Sequence, residues 1–423
     1  MSKTKKKRIE TVLVTGAGGS VGSLLISQLV DEGYKVIATD LRKPENTGNN
    51  DKITWHEADL TDPAEISALV EGVDAVIHTA AWVDITVSFE RQAPINLEAV
   101  INLFEEARQR GVSHFIHFST GSLYANSEGP LNEESPKHPS SAYEATKVLA
   151  EDYLFSQKGI GPIITILRPA LIYGPRGKVL VAPAATVPAL LAPLNKLVPQ
   201  IHGGPRTNLV HSEDVGRAAV HLLQTGQRKP IDVFNIACDD VITAGELMET
   251  ILSTGGLETA PFSLPFPWTL IKAILPLLSY NLPFHIINKA TQNYWQKIIE
   301  DKNLASELAP RVDREATPYM AGDVVFDNTK IKKTGFEFKF NSFLEGWKDT
   351  ISWYERNRWI PPRRGSGFHP GETEAMGSET MENEKMISET MENEKMISET
   401  MGSEKMISET MGSGESQKRK EAK

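Results

Sequence analysis

Cysteine is almost missing from this 423-residue chain: Cys238 is the only one. No internal disulfide can form, which suits a reducing compartment, and a cytoplasmic location is expected. Positive charge is also in deficit, with 45 Lys/Arg against 55 Asp/Glu and a net charge of −10. A nucleic-acid role therefore has no electrostatic support. The short basic start, MSKTKKKR, has no apolar stretch of the kind a signal peptide needs and reads as a solvated extension. No metal site is expected.

Long uninterrupted apolar runs are missing too. Residues 262–284 are greasy but carry Pro265, Pro267, Pro276 and Pro283. Their best unbroken part, Trp268–Leu275, would span roughly 12 Å as a helix at about 1.5 Å per residue, against about 30 Å of bilayer hydrocarbon. Residues 179–199 are broken in the same way by Pro183, Pro188, Pro193 and Pro199. No transmembrane span is expected. These stretches suit a greasy pocket, a subunit contact, peripheral contact with a membrane surface, or ordinary core.

From Arg363 onward Trp, Tyr, Val and Leu are absent, and the unit MENEKMISET occurs at 381–390 and 391–400, followed by MGSEKMISET at 401–410. Ten residues match no common solenoid period, and so little apolar surface does not offset ordering entropy. Residues 363–423 are expected to be a low-complexity disordered tail; a helical partner-binding arm is the alternative. The tail holds nine basic and 13 acidic residues, which leaves −6 on residues 1–362.

What is present is an alternation. Thr11–Thr15, Lys35–Thr39, Ile53–Glu57, Ala75–His78, His114–Ser119 and Ile163–Arg168 read as strands. Val21–Glu32, Ala64–Val70, Ile95–Arg110 and Tyr143–Gln157 read as helices between them. The strands are taken as apolar throughout, as in a parallel sheet covered on both faces. The pattern predicts an α/β fold with a Rossmann-type doubly wound parallel sheet. Residues 9–175 would form the nucleotide-binding core. Residues 176–362 would be a smaller, mainly substrate-covering region, with a strand near Val233–Ala237 returning to the core sheet.

The first strand runs into TGAGGSVG, in which Gly16, Gly19 and Gly22 are spaced G-x-x-G-x-x-G. Glycine accepts the positive φ of a tight turn and lets a pyrophosphate approach the backbone. The helix starting near Ser20 and Val21 offers unpaired N–H groups to the anion. Asp40, eighteen residues past Gly22, ends the second strand; a carboxylate there accepts bonds from the adenosine ribose and repels a 2′-phosphate. That favours NAD over NADP, although Arg42 and Lys43 soften the preference. Asp59, with Leu60 beside it, would meet the adenine, whereas Asp62 before Pro63 reads as a helix cap.

Tyr143 and Lys147 stand four apart, on one helix face. A tyrosine that serves as a base near neutrality must fall from about 10 to near 7, which is about 4 kcal/mol at 1.36 kcal/mol per pH unit. A neighbouring ammonium pushes it in that direction. Alone the pair is no more than helix-surface support. Its weight comes from order: phosphate turn, acidic strand end, then the hydroxyls Ser119, Thr120 and Ser122, then the pair.

With these motifs the chain resembles the extended branch of the short-chain dehydrogenase/reductase superfamily, the NAD-dependent epimerase/dehydratase group, and within it proteins like 3β-hydroxysteroid dehydrogenase. The resemblance covers most of 9–355 and rests on TGAGGSVG, HTAA at 78–81, STGSLYA at 119–125, YEATK at 143–147, LRPALIYGP at 167–175 and LVHSEDVGRA at 209–218. It implies Thr120, Tyr143 and Lys147 as the catalytic set, with Ala125 replacing the usual glycine of the turn. It also implies Ala80 and Ala81 beside the cofactor ribose, Asn96 as a structural residue, and dimers through a helix bundle.

The branch divides between nucleotide sugars and hydrophobic alcohols. Sugar-nucleotide members usually place Arg-Asp before the strand that is Leu209-Val210-His211 here, and another arginine before a late Gly-Asp. This chain has Thr207-Asn208 and Met320-Ala321 there, with Arg206 one place early. A diphosphate wants paired cations, so a small hydrophobic substrate is expected, sterol-like, terpenoid or fatty. Trp82 and Ser122 are candidate substrate contacts, and Trp82 serves equally as packing. The alternatives are a nucleotide-sugar epimerase or dehydratase and a non-catalytic NAD-binding scaffold or redox sensor.

Overall fold

The computed structural model describes residues 8–44, 50–84, 87–124, 129–225, 229–274, 281–311, 319 and 322–363, apart from the side chains of Lys272, Ile274 and residues 281–286. The basic start up to Lys7, Ala125, Pro276, Met320-Ala321 and the repeat segment 364–423 lie outside the described residues.

Six strands arise where short β-branched runs sit between helical patterns: β1 Thr11–Thr15, β2 Lys35–Asp40, β3 Ile53–Glu57, β4 Ala75–His78, β5 His114–Phe118 and β6 Ile163–Pro169. With the strand Ile231–Ile236 they form one seven-stranded sheet, ordered from that strand through β6, β5, β4, β1 and β2 to β3. Every pairing in it is parallel. The order reverses between β1 and β4, and in doubly wound sheets a cleft opens at that switch point.

Five helices of the first half cover the sheet: α1 Ser20–Asp31, α2 Pro63–Leu69, α3 Phe89–Ala93, α4 Ala99–Gln109 and α5 Ala142–Ser156. Leu25, Ile26 and Leu29 of α1 pack with Val12, Val14 and Val36 on one face. Leu103 and Phe104 of α4 pack with Leu13, Val76 and Phe115 on the other. Alternate residues of β1 thus enter opposite cores, as the two-residue period of a strand demands. Asp62 caps α2 ahead of Pro63 through its bond from the Ala64 amide. Ser141 and Glu144 form a capping box that sets where α5 starts.

Two local expectations are corrected. β3 is not apolar throughout; Thr54, His56 and Glu57 are exposed, because it is the edge of the sheet. The helix expected over Ile95–Arg110 begins earlier, at Phe89, and passes through a π-helical turn at Pro94–Glu98 before α4. Pro94 has no N–H to continue an α-helical ladder, and buried Asn96 turns inward, accepting from the Trp82 amide at 2.8 Å and donating to its carbonyl at 3.0 Å.

Beyond β6 a short strand, β7 Leu171–Tyr173, pairs with Leu209–His211. A third core gathers Tyr173, Trp295, Phe343, Trp347 and Tyr354. No helix among the described residues is long and apolar enough to cross a membrane.

Candidate functional site

A cavity of about 680 Å³ opens at the switch point. Gly16, Gly18, Gly19, Ser20, Val21 and Gly22 form one wall. Gly16 has φ +66°, and a Cβ on it would lie 2.7 Å from the Ala80 nitrogen. On Gly22 a Cβ would lie 2.1 Å from the Gly16 carbonyl oxygen. The turn therefore leaves room only for bare backbone, and no side chain caps the first turn of α1 behind Gly19. Asp40 closes this end: its carboxylate accepts from the Gly18 amide at 2.9 Å and from the Leu41 amide at 2.8 Å. Gly18, which the glycine spacing did not single out, is thus the residue that ties the turn to the acidic strand end.

The opposite wall carries hydroxyls and the helix pair. Ser119, Thr120, Ser122, Tyr143 and Lys147 all line the same cavity. Thr120 leads a single 3₁₀ turn, Gly121–Leu123; its hydroxyl lies 2.9 Å from that of Ser122 and accepts from the Ser122 amide. Lys147 is buried and donates to the Phe118 carbonyl at 2.9 Å. Burial pushes its ammonium down to about 8, against the opposing pull of Glu151 one turn further along α5.

The strands beneath the cavity are polar where they meet. His78 and His117, neighbours on β4 and β5, stack at 5.7 Å with no exposure to solvent. Thr15 bonds His78 Nδ1 at 2.8 Å. Neither ring nitrogen of His117 has a partner among the described residues. Burial, reinforced by the Lys147 charge, lowers His78 to about 3 and His117 well below its ordinary value.

Ala81 lines the cavity, whereas Asp59, Leu60, Ala80 and Trp82 are not among its lining residues. The Asp59 carboxylate accepts from the Thr61 amide and hydroxyl in a local turn. Leu60 is core, and Trp82 sits under the Arg91 guanidinium at 5.5 Å. The covering role expected of two apolar stretches is met only by Val179 and Leu180; none of residues 262–274 lines the cavity, and Phe262, Leu264 and Leu270 are exposed. Arg206 is held outside it by Asp323, with amide and guanidinium contacts of 2.8 Å.

Leu131, His138, Arg176, Tyr319 and Val324 line the cavity without having been marked by the sequence. Arg176 directly follows the LIYGP motif, a signal that was available. Tyr319 and Val324 come from far downstream and leave no local trace.

A turn that only backbone fits, an uncapped helix start and a carboxylate at the next strand end together suit a dinucleotide. The chain is similar to a 3-beta-hydroxysteroid dehydrogenase of Mycolicibacterium neoaurum, 28% identical over 280 residues, 60% of this chain and 75% of that one. It is similar to sterol demethylase protein B of Methylococcus capsulatus, 35% identical over 172 residues, and to a UDP-glucose 4-epimerase of Mycolicibacterium smegmatis, 34% identical over 177. Each of those two matches covers 39% of this chain and about half of the relative, 52% and 56% respectively. Among solved structures, the UDP-glucose 4-epimerase of Thermotoga maritima with UDP-glucose superposes with a TM-score of 0.59 at 23% identity, over 82% of this chain and 99% of that one. The NAD complex of the Thermus thermophilus UDP-glucose 4-epimerase gives 0.58 at 22%, with the same coverage. The sequence profile of the NAD dependent epimerase/dehydratase family matches residues 12–237, and with the fold and the glycine turn this places the chain in that family, within the extended short-chain dehydrogenases/reductases.

Proposed function

We propose that the chain is an NAD-dependent dehydrogenase or reductase acting on a hydrophobic secondary alcohol or ketone, sterol-like, terpenoid or fatty. The observation that carries the substrate class is the cavity wall. Val83, Leu131, Ile172, Leu180, Tyr319 and Val324 line it, while the arginine nearest the diphosphate position of sugar-nucleotide enzymes, Arg206, is engaged by Asp323 outside it. An apolar stretch of wall facing a small set of hydroxyls suits a ligand of that kind.

The backbone of Gly16, Gly19, Ser20, Val21 and Gly22 would hold the cofactor diphosphate, and Asp40 the adenosine ribose. Asp59 and Leu60 would border the adenine, and Ala80 and Ala81 the other ribose. Bound NAD supplies the hydride acceptor and, when reduced, the donor. Tyr143 Oη would exchange the substrate hydroxyl proton, and the Thr120 hydroxyl would fix the substrate oxygen, with Ser122 beside it. An ammonium has three N–H groups; one from Lys147 goes to Phe118, which leaves two for the cofactor ribose and for stabilising phenolate. Trp82, which lies under the Arg91 guanidinium and not among the lining residues, would serve as packing.

The test is NADH absorbance against a panel of sterols, β-keto acids and UDP-sugars, with Tyr143→Phe as control. We expect turnover of a hydrophobic substrate that falls about 10²- to 10⁴-fold in the variant, with NADH binding retained. Unchanged turnover in Tyr143→Phe removes the assignment. NADH binding without turnover of anything in the panel supports a scaffold instead. A nucleotide-sugar epimerase or dehydratase is the second reading, favoured by the epimerase relatives; turnover of a UDP-sugar and of nothing hydrophobic would establish it.

A further inference from the structure

Arg176 is the candidate. It lines the main cavity together with the glycine turn, and it also lines a second, smaller recess formed by Ala17, Ser23, Pro44, Asn50 and Trp55. A side chain bordering both lies beside the turn itself, not at the far substrate end. The other two cations of the main cavity are engaged: Lys147 by the Phe118 carbonyl, and Lys178 by Glu307 and the face of Trp359. Arg176 is exposed and makes no hydrogen bond or ion pair among the described residues.

Its backbone is held in an unusual state. Arg176 has φ +61°, in the left-handed region that disfavours a non-glycine residue. The flanking turn is fixed from two sides. The Ser20 hydroxyl, at the start of α1, donates to the Pro175 carbonyl at 2.8 Å. Tyr354 donates from its hydroxyl to the Gly174 and Gly177 carbonyls at 3.1 and 2.9 Å. An outlying conformation that its surroundings enforce points to a positional role. The Ser20 bond makes that position specific, because it fastens the arginine's turn to the same helix end that borders the glycine turn.

We propose that Arg176 is the side-chain cation for the diphosphate of the dinucleotide, complementing the backbone N–H groups of α1. This rests on the cofactor reading given above. A guanidinium matches phosphate oxygens with paired donors in a fixed fork. The glycine turn itself offers backbone only, so without Arg176 the described part of the diphosphate wall has no positive side chain to offer.

The test is equilibrium binding by the full chain, read by NADH fluorescence and calorimetry, in Arg176→Ala and Arg176→Lys. The ligands are NADH, ADP-ribose, adenosine and UDP. Arg176→Ala should weaken NADH and ADP-ribose alike by about tenfold or more, the scale of a charge-assisted hydrogen bond, and leave adenosine unchanged. Arg176→Lys should recover part of the loss. The wild-type affinity for NADH should also fall more steeply with salt than the variant's. Unfolding curves on the same samples should coincide, since the side chain is exposed. Equal NADH affinity in wild type and Arg176→Ala overturns the proposal. Loss of UDP binding with NADH binding intact overturns it too, and assigns the arginine to a substrate diphosphate. A wild type that binds no NADH defeats the cofactor reading itself, which distinguishes the two failures.

Discussion

Moderate acid should destabilise this protein through His78 and His117. Both are fully buried side by side, and burial with the nearby Lys147 charge depresses them, His78 to about 3. In the folded state they are neutral; in the unfolded chain they titrate near 6.5. Below pH 6.5 the unfolded state therefore binds protons that the folded state refuses, and stability falls as pH drops from 6.5 toward 3. Between pH 7.5 and 5 each histidine costs about 2 kcal/mol at 1.36 kcal/mol per pH unit, and the pair about 4. The result depends little on the folded values so long as both lie well below 5. Carboxylates held low in the fold, such as Glu105, Glu151 and Asp349, act mainly below this window. Lys147, near 8, adds only about a few tenths of a kcal/mol. The assay is urea unfolding of the ligand-free chain at pH 7.5 and 5.0, followed by tryptophan fluorescence. His117→Leu should keep most of the stability at pH 7.5 and lose about half of the pH dependence. A wild type whose stability differs by less than about 1 kcal/mol between the two pH values would mean that the two histidines are not held neutral in the fold.

Two substitutions probe the frame around the cavity. Gly22→Ala puts a methyl group 2.1 Å from the Gly16 carbonyl, so the turn must shift; NADH binding should fall at least tenfold in a fluorescence titration, and unaltered binding would mean that this turn does not hold the cofactor. Glu151→Gln removes the charge that Arg168 grips at 2.8 and 2.6 Å with its carboxylate wholly buried. Leaving that guanidinium unpaired should cost about 3–5 kcal/mol in thermal unfolding, and an unchanged melting temperature would contradict it.

The glycine-turn end of the cavity and the Tyr143–Lys147 pair were legible because their signals are local. Strand, glycine turn and helix follow one another within residues 11–31, and Tyr143 and Lys147 are one helical turn apart. The apolar wall was not. Leu131 reaches the cavity because its amide bonds the Val325 carbonyl at 2.7 Å, and Val324 because it bridges to Thr207. Pairings across more than a hundred residues leave no periodicity in either segment. Apolar content misled over the described residues 262–274, since composition does not say which face is covered: Leu264, on the short strand Ser263–Pro265, and Phe262 just before it are both exposed. The grouping of β3 with the apolar strands passes over its own residues, ITWHE, which carry the polar side chains that its place at the sheet edge exposes.

Arg168 shows how the Thr120 turn and the Lys147 helix are tied together. In sequence it is one charge ending an apolar strand. In the fold it joins three elements. It grips Glu151 on α5, one turn beyond Lys147, and donates to the Tyr124 hydroxyl at 2.8 Å and to the Glu133 carbonyl at 3.1 Å. Tyr124 follows the Thr120 turn and passes its own hydroxyl bond to Asn235 on the edge strand at 2.6 Å. The Thr120 turn and the Lys147 helix are therefore positioned against each other through the sheet, by charge-assisted bonds in a dry interior where such bonds are strong. Leu131 is backbone-bonded to Val325, and Asn235 donates to the Leu131 carbonyl at 2.9 Å, so the wall is hung on the same frame, and the buried side chains of Leu131 and Val324 pack in the same core as Tyr124. Under the proposed function, side chains at Leu131, Tyr319 and Val324 would bear on the ligand admitted, whereas Arg168 and Glu151 bear on where the Thr120 turn and the Lys147 helix sit. A volume-conserving swap such as Leu131→Met should alter which alcohol is accepted at a stability cost under about 1.5 kcal/mol, whereas Leu131→Ala should cost about 2–5 kcal/mol because the side chain is buried.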